Sequence, residues 1–157
     1  MKDLFTKLVN TLKEKGLTIS CAESCTGGLI AKYITDISGA SSVFCGGVVS
    51  YVNEVKMKVL GVSPSTIESF TEVSYECAKE MAMGVKGLMS TDIGISTTGF
   101  AGPSGGTDKD PVGTVYVGIA TKNGCEGIRL SLGTTLSRDE IRNKACYSLI
   151  NLLLEKI

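Results

Sequence analysis

Five short runs of β-branched and apolar residues set the pattern of this chain: Thr18 to Ala22, Val43 to Val52, Ile93 to Thr98, Thr114 to Thr121 and Glu126 to Leu132. The first three runs are separated by stretches whose apolar residues recur every three or four positions, the spacing of one helix face, and similar stretches flank the whole set. The first such stretch carries Leu4, Leu8, Val9 and Leu12 and stops at Lys15-Gly16. Others run from Gly28 to Ile37, Glu54 to Leu60, Ser74 to Leu88 and Arg138 to Glu155, with a short one at Ser65 to Phe70. Strands separated by helices build a mostly parallel sheet covered on both faces. An Asn123-Gly124 turn joins the last two strands as a hairpin and makes one of them antiparallel to the rest. The sequence therefore predicts an α/β fold, a three-layer α/β/α sandwich with a mixed, mostly parallel sheet of about five strands, in one domain over residues 1–157.

Two strand-to-loop junctions stand out, Ala22-Glu23-Ser24-Cys25-Thr26-Gly27-Gly28 and Thr98-Gly99-Phe100-Ala101-Gly102-Pro103-Ser104-Gly105-Gly106. Their small residues let a ligand approach the backbone, and ligand loops of α/β proteins leave the carboxyl ends of strands. They read as two walls of one pocket. Leu29, Ile30, Tyr33, Ile34 and Ile37 keep a helical spacing, so Ser24 falls in the turn before a helix, near the N–H groups of Cys25, Thr26 and Gly27. N–H groups at the positive end of a helix dipole hold a phosphate or stabilise an oxyanion. A hydroxyl at Ser24 or Thr26 also serves as a helix cap, and both readings stand. The segment from Gly99 to Gly113 is either a ligand loop or an ordinary flexible one.

Lys and Arg number 16 and Asp and Glu 16, so no net charge draws the chain to long nucleic acid or anionic membranes. Apolar stretches are too short for a membrane span, and Met1 to Lys15 lacks the apolar core of a signal peptide, which predicts a cytoplasmic protein. The six cysteines are scattered, with no Cys-x-x-Cys pair and no histidine to help ligate zinc, so no metal or cofactor is expected and most cysteines read as core. Without histidine, Ser-His-Asp and Cys-His mechanisms are excluded. Proton transfer falls to Lys, Tyr, Asp or Glu.

The best nucleophile and base left are Ser24 and a lysine. Lys56 lies in the run Ser50-Tyr51-Val52-Asn53-Glu54-Val55-Lys56, just after a strand, at the same sheet edge as Ser24. An ordinary lysine, of pKa about 10.4, is neutral in about one molecule in 2,500 at pH 7. Lowering that pKa to roughly 7.5 makes about a quarter neutral, at a cost of about 4 kcal/mol. Tyr51 is a candidate to shuttle the proton or orient the lysine, and Asn53 to hold substrate or loop. The plainer alternatives are a sheet-packed tyrosine and a solvated lysine. Arg138 and Arg142, four apart at the start of the last helix, form either a phosphate clamp or, with Asp139 and Glu140, exposed ion pairs. Met57, Met81, Met83 and Met89 read as core filler.

Taken in order, Ala22 to Gly28, Gly47-Val48-Val49-Ser50-Tyr51-Val52-Asn53-Glu54-Val55-Lys56, Thr98 to Gly106 and Pro111-Val112-Gly113-Thr114-Val115 resemble the C-terminal domain of the competence-damage protein CinA, which also occurs alone as nicotinamide-nucleotide amidohydrolase. The resemblance covers nearly the whole chain. It implies a three-layer α/β/α sandwich and metal-free hydrolysis of the carboxamide of nicotinamide mononucleotide to nicotinate mononucleotide and ammonia, in pyridine-nucleotide salvage. It further implies Ser24 as nucleophile, Lys56 as its activator and Tyr51 in support. Substrate contacts are then expected from Glu23, Cys25, Thr26, Gly27, Gly28, Asn53, Thr98, Gly99, Ala101, Gly102, Gly105, Gly106, Arg138 and Arg142, with the glycine loop and Arg142 on the ribose phosphate. A homo-oligomer, a dimer, is implied, and a chain too short for the family's N-terminal pyrophosphatase domain is expected to act only as the amidohydrolase. The Gly-Asp-Arg run common in the family is replaced here by Gly133-Thr134-Thr135-Leu136-Ser137-Arg138, while Arg138 and Arg142 still match two family arginines. Two rival readings are a non-catalytic nucleotide sensor using the same pocket and a cysteine enzyme using Cys25.

Overall fold

In the computed structural model, which describes residues 1–157, the chain opens with α1 (Lys2–Lys15). This helix buries Phe5, Leu8, Val9 and Leu12 and stops at Gly16, whose φ of 63° a glycine adopts without strain. There follow β1 (Ile19–Glu23), α2 (Leu29–Thr35), a 3-10 turn (Ala40–Ser42), β2 (Phe44–Val49), α3 (Asn53–Leu60), α4 (Pro64–Phe70) and α5 (Tyr75–Met89). The chain ends with β3 (Ile93–Gly99), β4 (Thr114–Thr121), β5 (Gly124–Ser131) and α6 (Arg138–Leu154). The start of α6 carries a capping box, in which Ser137 accepts from the Glu140 N–H and Glu140 accepts from the Ser137 N–H.

The five strands lie in the order β2-β1-β3-β4-β5. β1 pairs parallel with β2 and β3, while β4 runs antiparallel to both β3 and β5, so four strands point one way and one the other. The mostly parallel sandwich expected from the sequence is the observed fold. Two details differ. The hairpin loop is Lys122-Asn123, because Gly124 already pairs with Thr121. β2 ends at Val49 rather than Val52, because the Ser50 N–H turns to the Glu23 carbonyl and leads the chain into α3.

α1, α2 and α6 cover one face of the sheet, over a core of 24 buried residues. α5 covers the other, backed by α3 and α4, over clusters of only six and three. Glycines explain the thin second core. A Cβ on Gly94 of β3 would overlap the Ala82 carbonyl of α5, one on Gly118 of β4 the Ala78 carbonyl, and one on Gly127 of β5 would lie 2.8 Å from the Tyr75 carbonyl. The helix backbone therefore rests directly on three strands. Gly84 repeats the device one layer out, where a Cβ would overlap the carbonyl of Leu60 at the end of α3. Met83, expected in the core, points outward from α5 at 47% exposure, whereas Met81 is fully buried. No helix is long and apolar enough to cross a membrane.

After β1 the chain leaves by α2 toward β2, and after β2 it crosses by α3 to α5 to reach β3 on the other side of β1. The carboxyl ends of β1 and β3 thus flank a topological switch point, where open α/β sheets place their ligands. Gly84→Ala should destabilise the protein by about 1–3 kcal/mol in urea unfolding, because α3 must move away from α5. Gly87→Ala, in the same helix with nothing within 4 Å of the new Cβ, should instead stabilise it by about 0.5–1 kcal/mol.

Candidate active site

β1 delivers Glu23 and Ser24 to the switch point, and the two side chains do different work. Glu23 is 1% exposed, and its carboxylate accepts the N–H groups of Gly28 at 3.1 Å, Ile30 at 3.0 Å and Ala31 at 2.9 Å, with the Thr26 hydroxyl at 2.6 Å. Glu23 is therefore the cap of α2, in place of the Ser24 or Thr26 cap weighed above, with its charge against the positive end of the dipole. It takes the N–H groups a phosphate would need, and it has no surface for a substrate contact. Gly27 and Gly28, at φ 57° and 93°, turn the chain, and the Gly27 N–H closes that turn on the Ser24 carbonyl at 3.1 Å. Of the three amides expected to face a ligand, those of Cys25 and Thr26 make no protein hydrogen bond. Thr26 is fully buried, while Cys25 lines the pocket.

Lys56, near the start of α3, is 1% exposed. Its Nζ lies 3.1 Å from Ser24 Oγ and donates to the Ser50 carbonyl at 2.8 Å. No carboxylate pairs with it: the salt bridges of this molecule are Lys32–Asp36, Lys58–Glu54, Arg129–Asp110 and Lys156–Glu126. Burial strips water from the ammonium and lowers its pKa below that of an ordinary lysine, opposed in part by Cys77, Glu72 and Cys25. The unfolded chain then binds more protons between the two pKa values, so this group makes stability rise with pH across that window. The solvated-lysine alternative is overturned. Burial pushes the Cys25 thiol up to about 12, so it holds almost no thiolate at neutral pH and the cysteine rival loses its nucleophile.

Ser24, Cys25 and Lys56 open into a pocket of about 420 Å³, bounded further by Tyr51 just before α3 and Asn53 at its start, by Thr98 and Gly99 at the end of β3 with Ala101 beyond it, and by Arg138. Tyr51, 60% exposed, stands at the rim. Its phenol accepts from Arg138 Nη2 at 3.0 Å and makes no hydrogen bond to Ser24 or Lys56, while Arg138 Nη1 donates to the Gly102 carbonyl at 2.8 Å. Arg142 stays outside the pocket: its Nη2 donates to the Thr26 carbonyl at 2.6 Å and braces the Ser24 turn. The two arginines share a helix face but hold separate carbonyls rather than forming one clamp. Gly27 and Gly28 lie outside the lining in the turn after β1, and Gly102, Gly105 and Gly106 lie outside it because the glycine loop folds back on Val112, which a Cβ on Gly102 or Gly106 would strike.

Two residues escaped the sequence reading. Asp110, nearly buried, accepts the Tyr116 hydroxyl at 2.9 Å and Arg129 Nε at 3.1 Å and so pins the glycine loop to the sheet. Its signal was present, an acid beside a hairpin that sets Tyr116 opposite Arg129. Glu72 lines the pocket from the connection between α4 and α5, far in sequence from either junction, and nothing nearby marked it. No cluster of three or more His, Cys, Asp or Glu side chains is placed to hold a metal ion.

An α/β/α sandwich with a buried serine–lysine pair at its carboxyl-edge pocket is the class of protein this geometry defines. Within that class, the chain belongs to the CinA C-terminal domain family, whose model matches residues 1–157. It is 49% identical over 138 residues to a CinA-like protein of Kosmotoga olearia, covering 88% of this chain and 33% of that protein. It is 42% identical over 149 residues to a CinA-like protein of Rippkaea orientalis, covering 94% and 36%. The chain spans about a third of the length of the curated relatives it matches. Among solved structures, the competence/damage inducible protein CihA from Agrobacterium tumefaciens superposes with a TM-score of 0.94 at 35% identity, covering 98% of this chain and 93% of that one. A CinA superfamily protein from Escherichia coli gives 0.94 at 29% identity, covering 99% and 90%.

Because Glu23 satisfies three amides and a hydroxyl in the interior, Glu23→Ala should cost about 3 kcal/mol of stability. Native-state hydrogen exchange should show the Ile30 and Ala31 amides losing protection first.

Proposed function

We propose that the protein hydrolyses the carboxamide of nicotinamide mononucleotide, releasing ammonia and nicotinate mononucleotide. The observation that carries this reading is the buried Lys56 amine, free of any carboxylate partner, 3.1 Å from Ser24 Oγ. Neutral Lys56 takes the Ser24 proton as Oγ attacks the amide carbon. The tetrahedral oxyanion is met by the Cys25 N–H, which has no protein partner. When the intermediate collapses, the C–N bond breaks and the leaving nitrogen takes the proton back from Lys56, departing as ammonia. Water then adds to the acyl-serine, giving its proton to Lys56, and the second collapse returns that proton to Ser24 and releases the carboxylate. The cationic pyridinium withdraws electrons from the carboxamide and favours both attacks. Arg138, held at the rim by Tyr51 and the Gly102 carbonyl, suits the phosphate better than Arg142, whose guanidinium is committed to the Ser24 turn. Tyr51 then supports the site through Arg138 rather than through the lysine.

Purified protein with EDTA should release ammonia from nicotinamide mononucleotide, and mass spectrometry should find nicotinate mononucleotide. Ser24→Ala and Lys56→Arg should each lose about a thousandfold or more in kcat, the second because a guanidinium does not surrender its proton. Tight nucleotide binding without ammonia in the wild type would make the protein a sensor instead. The value of kcat/KM should rise with pH and level off above the lowered Lys56 pKa, short of the ordinary lysine value of about 10.4. A profile that falls with rising pH through that range would remove Lys56 as the base.

A further inference from the structure

We propose that Glu72 is the charge-selecting residue of the pocket: its unpaired carboxylate makes the site favour an amide carried on a cationic ring. The inference rests on the amidohydrolase reading and assigns the residue that recognises the ring charge of its substrate. Glu72 is half-buried on the pocket wall with Ser24 and Lys56, yet its carboxylate makes no hydrogen bond and joins none of the salt bridges. Its backbone is fixed. The Glu72 carbonyl accepts the Thr98 hydroxyl at 2.6 Å, which ties it to the end of β3. The preceding Thr71 sits at φ 70°, a conformation that β-branched residues rarely adopt, and its carbonyl accepts the Ser74 hydroxyl at 2.9 Å. Glu72 is thus held on the pocket wall by an ordered turn rather than by a loose loop.

Besides the buried Lys56, the other charge on the wall is Arg138, and Glu72 and Arg138 come from opposite helical layers. Glu72 enters from the α4–α5 side of the sheet and Arg138 from the α6 side, with Ser24 at the sheet edge. A substrate with a cation on one flank of its amide and an anion on the other satisfies both. Complementary charges of this kind orient a ligand and penalise the wrong one. An amide on a neutral ring keeps the anion contact with Arg138 and forfeits the one with Glu72.

The probes are nicotinamide mononucleotide and benzamide mononucleotide, in which carbon replaces the cationic ring nitrogen. Glu72→Gln, near in shape, should lower kcat/KM for the cationic nucleotide about tenfold, chiefly through KM, and leave the neutral one within about twofold. Glu72→Asp, which keeps the charge, should retain most of the preference. Equal losses on both substrates, or no loss on either, would overturn the proposal. Calorimetric binding of both probes to Ser24→Ala, with and without Glu72→Gln, separates this inference from the reaction. A preference erased by Glu72→Gln in the Ser24→Ala background, with no ammonia released by the wild type, would sink the amidohydrolase reading and keep the selector. Ammonia release with an unchanged preference would do the reverse, and binding of neither probe would end both.

Discussion

The buried Glu23 carboxylate is the constraint on which the site depends. A carboxylate inside a protein is costly unless its acceptors are filled, and here three amides and a hydroxyl fill them. Meeting those donors forces the chain to turn within five residues of the end of β1, through two glycines with positive φ. Ser24 sits on that reversal, its own N–H held by the Thr97 carbonyl at 2.9 Å, while Arg142 holds the Thr26 carbonyl from α6. Strand, helix and the facing helix thus all fix one short turn. Its hydroxyl is placed by the fold rather than by a loop.

The lysine is placed by a different means. Glycines on β3, β4 and β5 bring the backbone of α5 into contact with the sheet, and Gly84 of α5 brings in the end of α3. Backbone-to-backbone contacts have no rotamers through which to relax, so they transmit position well. They set α3 at the height where Lys56 reaches both the Ser50 carbonyl and Ser24. The thin core on this face and the reach of the lysine are two results of the same packing.

Much of this was legible in the sequence because it rests on local signals. Helical spacing, glycine stops and β-branched runs marked the elements, and the strand–helix alternation gave the sandwich. Ser24 and Lys56 were legible by elimination, since a chain without histidine has few other nucleophile–base pairs. What was not legible depends on which way a side chain points across the fold. Glu23 and Arg142 lie within motifs that promise ligand contact, yet both face inward and hold the Ser24 turn. Gly102, Gly105 and Gly106 look like a phosphate cradle, but Gly102 and Gly106 fold the loop onto Val112 and Gly105 faces Phe100. Glu72 gains its surroundings from segments remote in the chain, and no local pattern announces such a meeting.

The separation of Glu72 from Lys56 decides what the pocket is able to do. A carboxylate hydrogen-bonded to the amine would stabilise the ammonium, and a lysine so paired holds its proton too firmly to serve as a base. Hydrogen-bonded instead to a carbonyl and facing a hydroxyl, both uncharged, the amine is satisfied when neutral and gains no full counter-charge when protonated. Burial then tips the balance toward the neutral form. Glu72 stays beyond ion-pair distance while its charge still reaches into the same pocket. In the proposed reaction, one acid then acts on a cationic substrate without disabling the base beside it, because the ordered turn from Thr71 to Ser74 keeps the two apart.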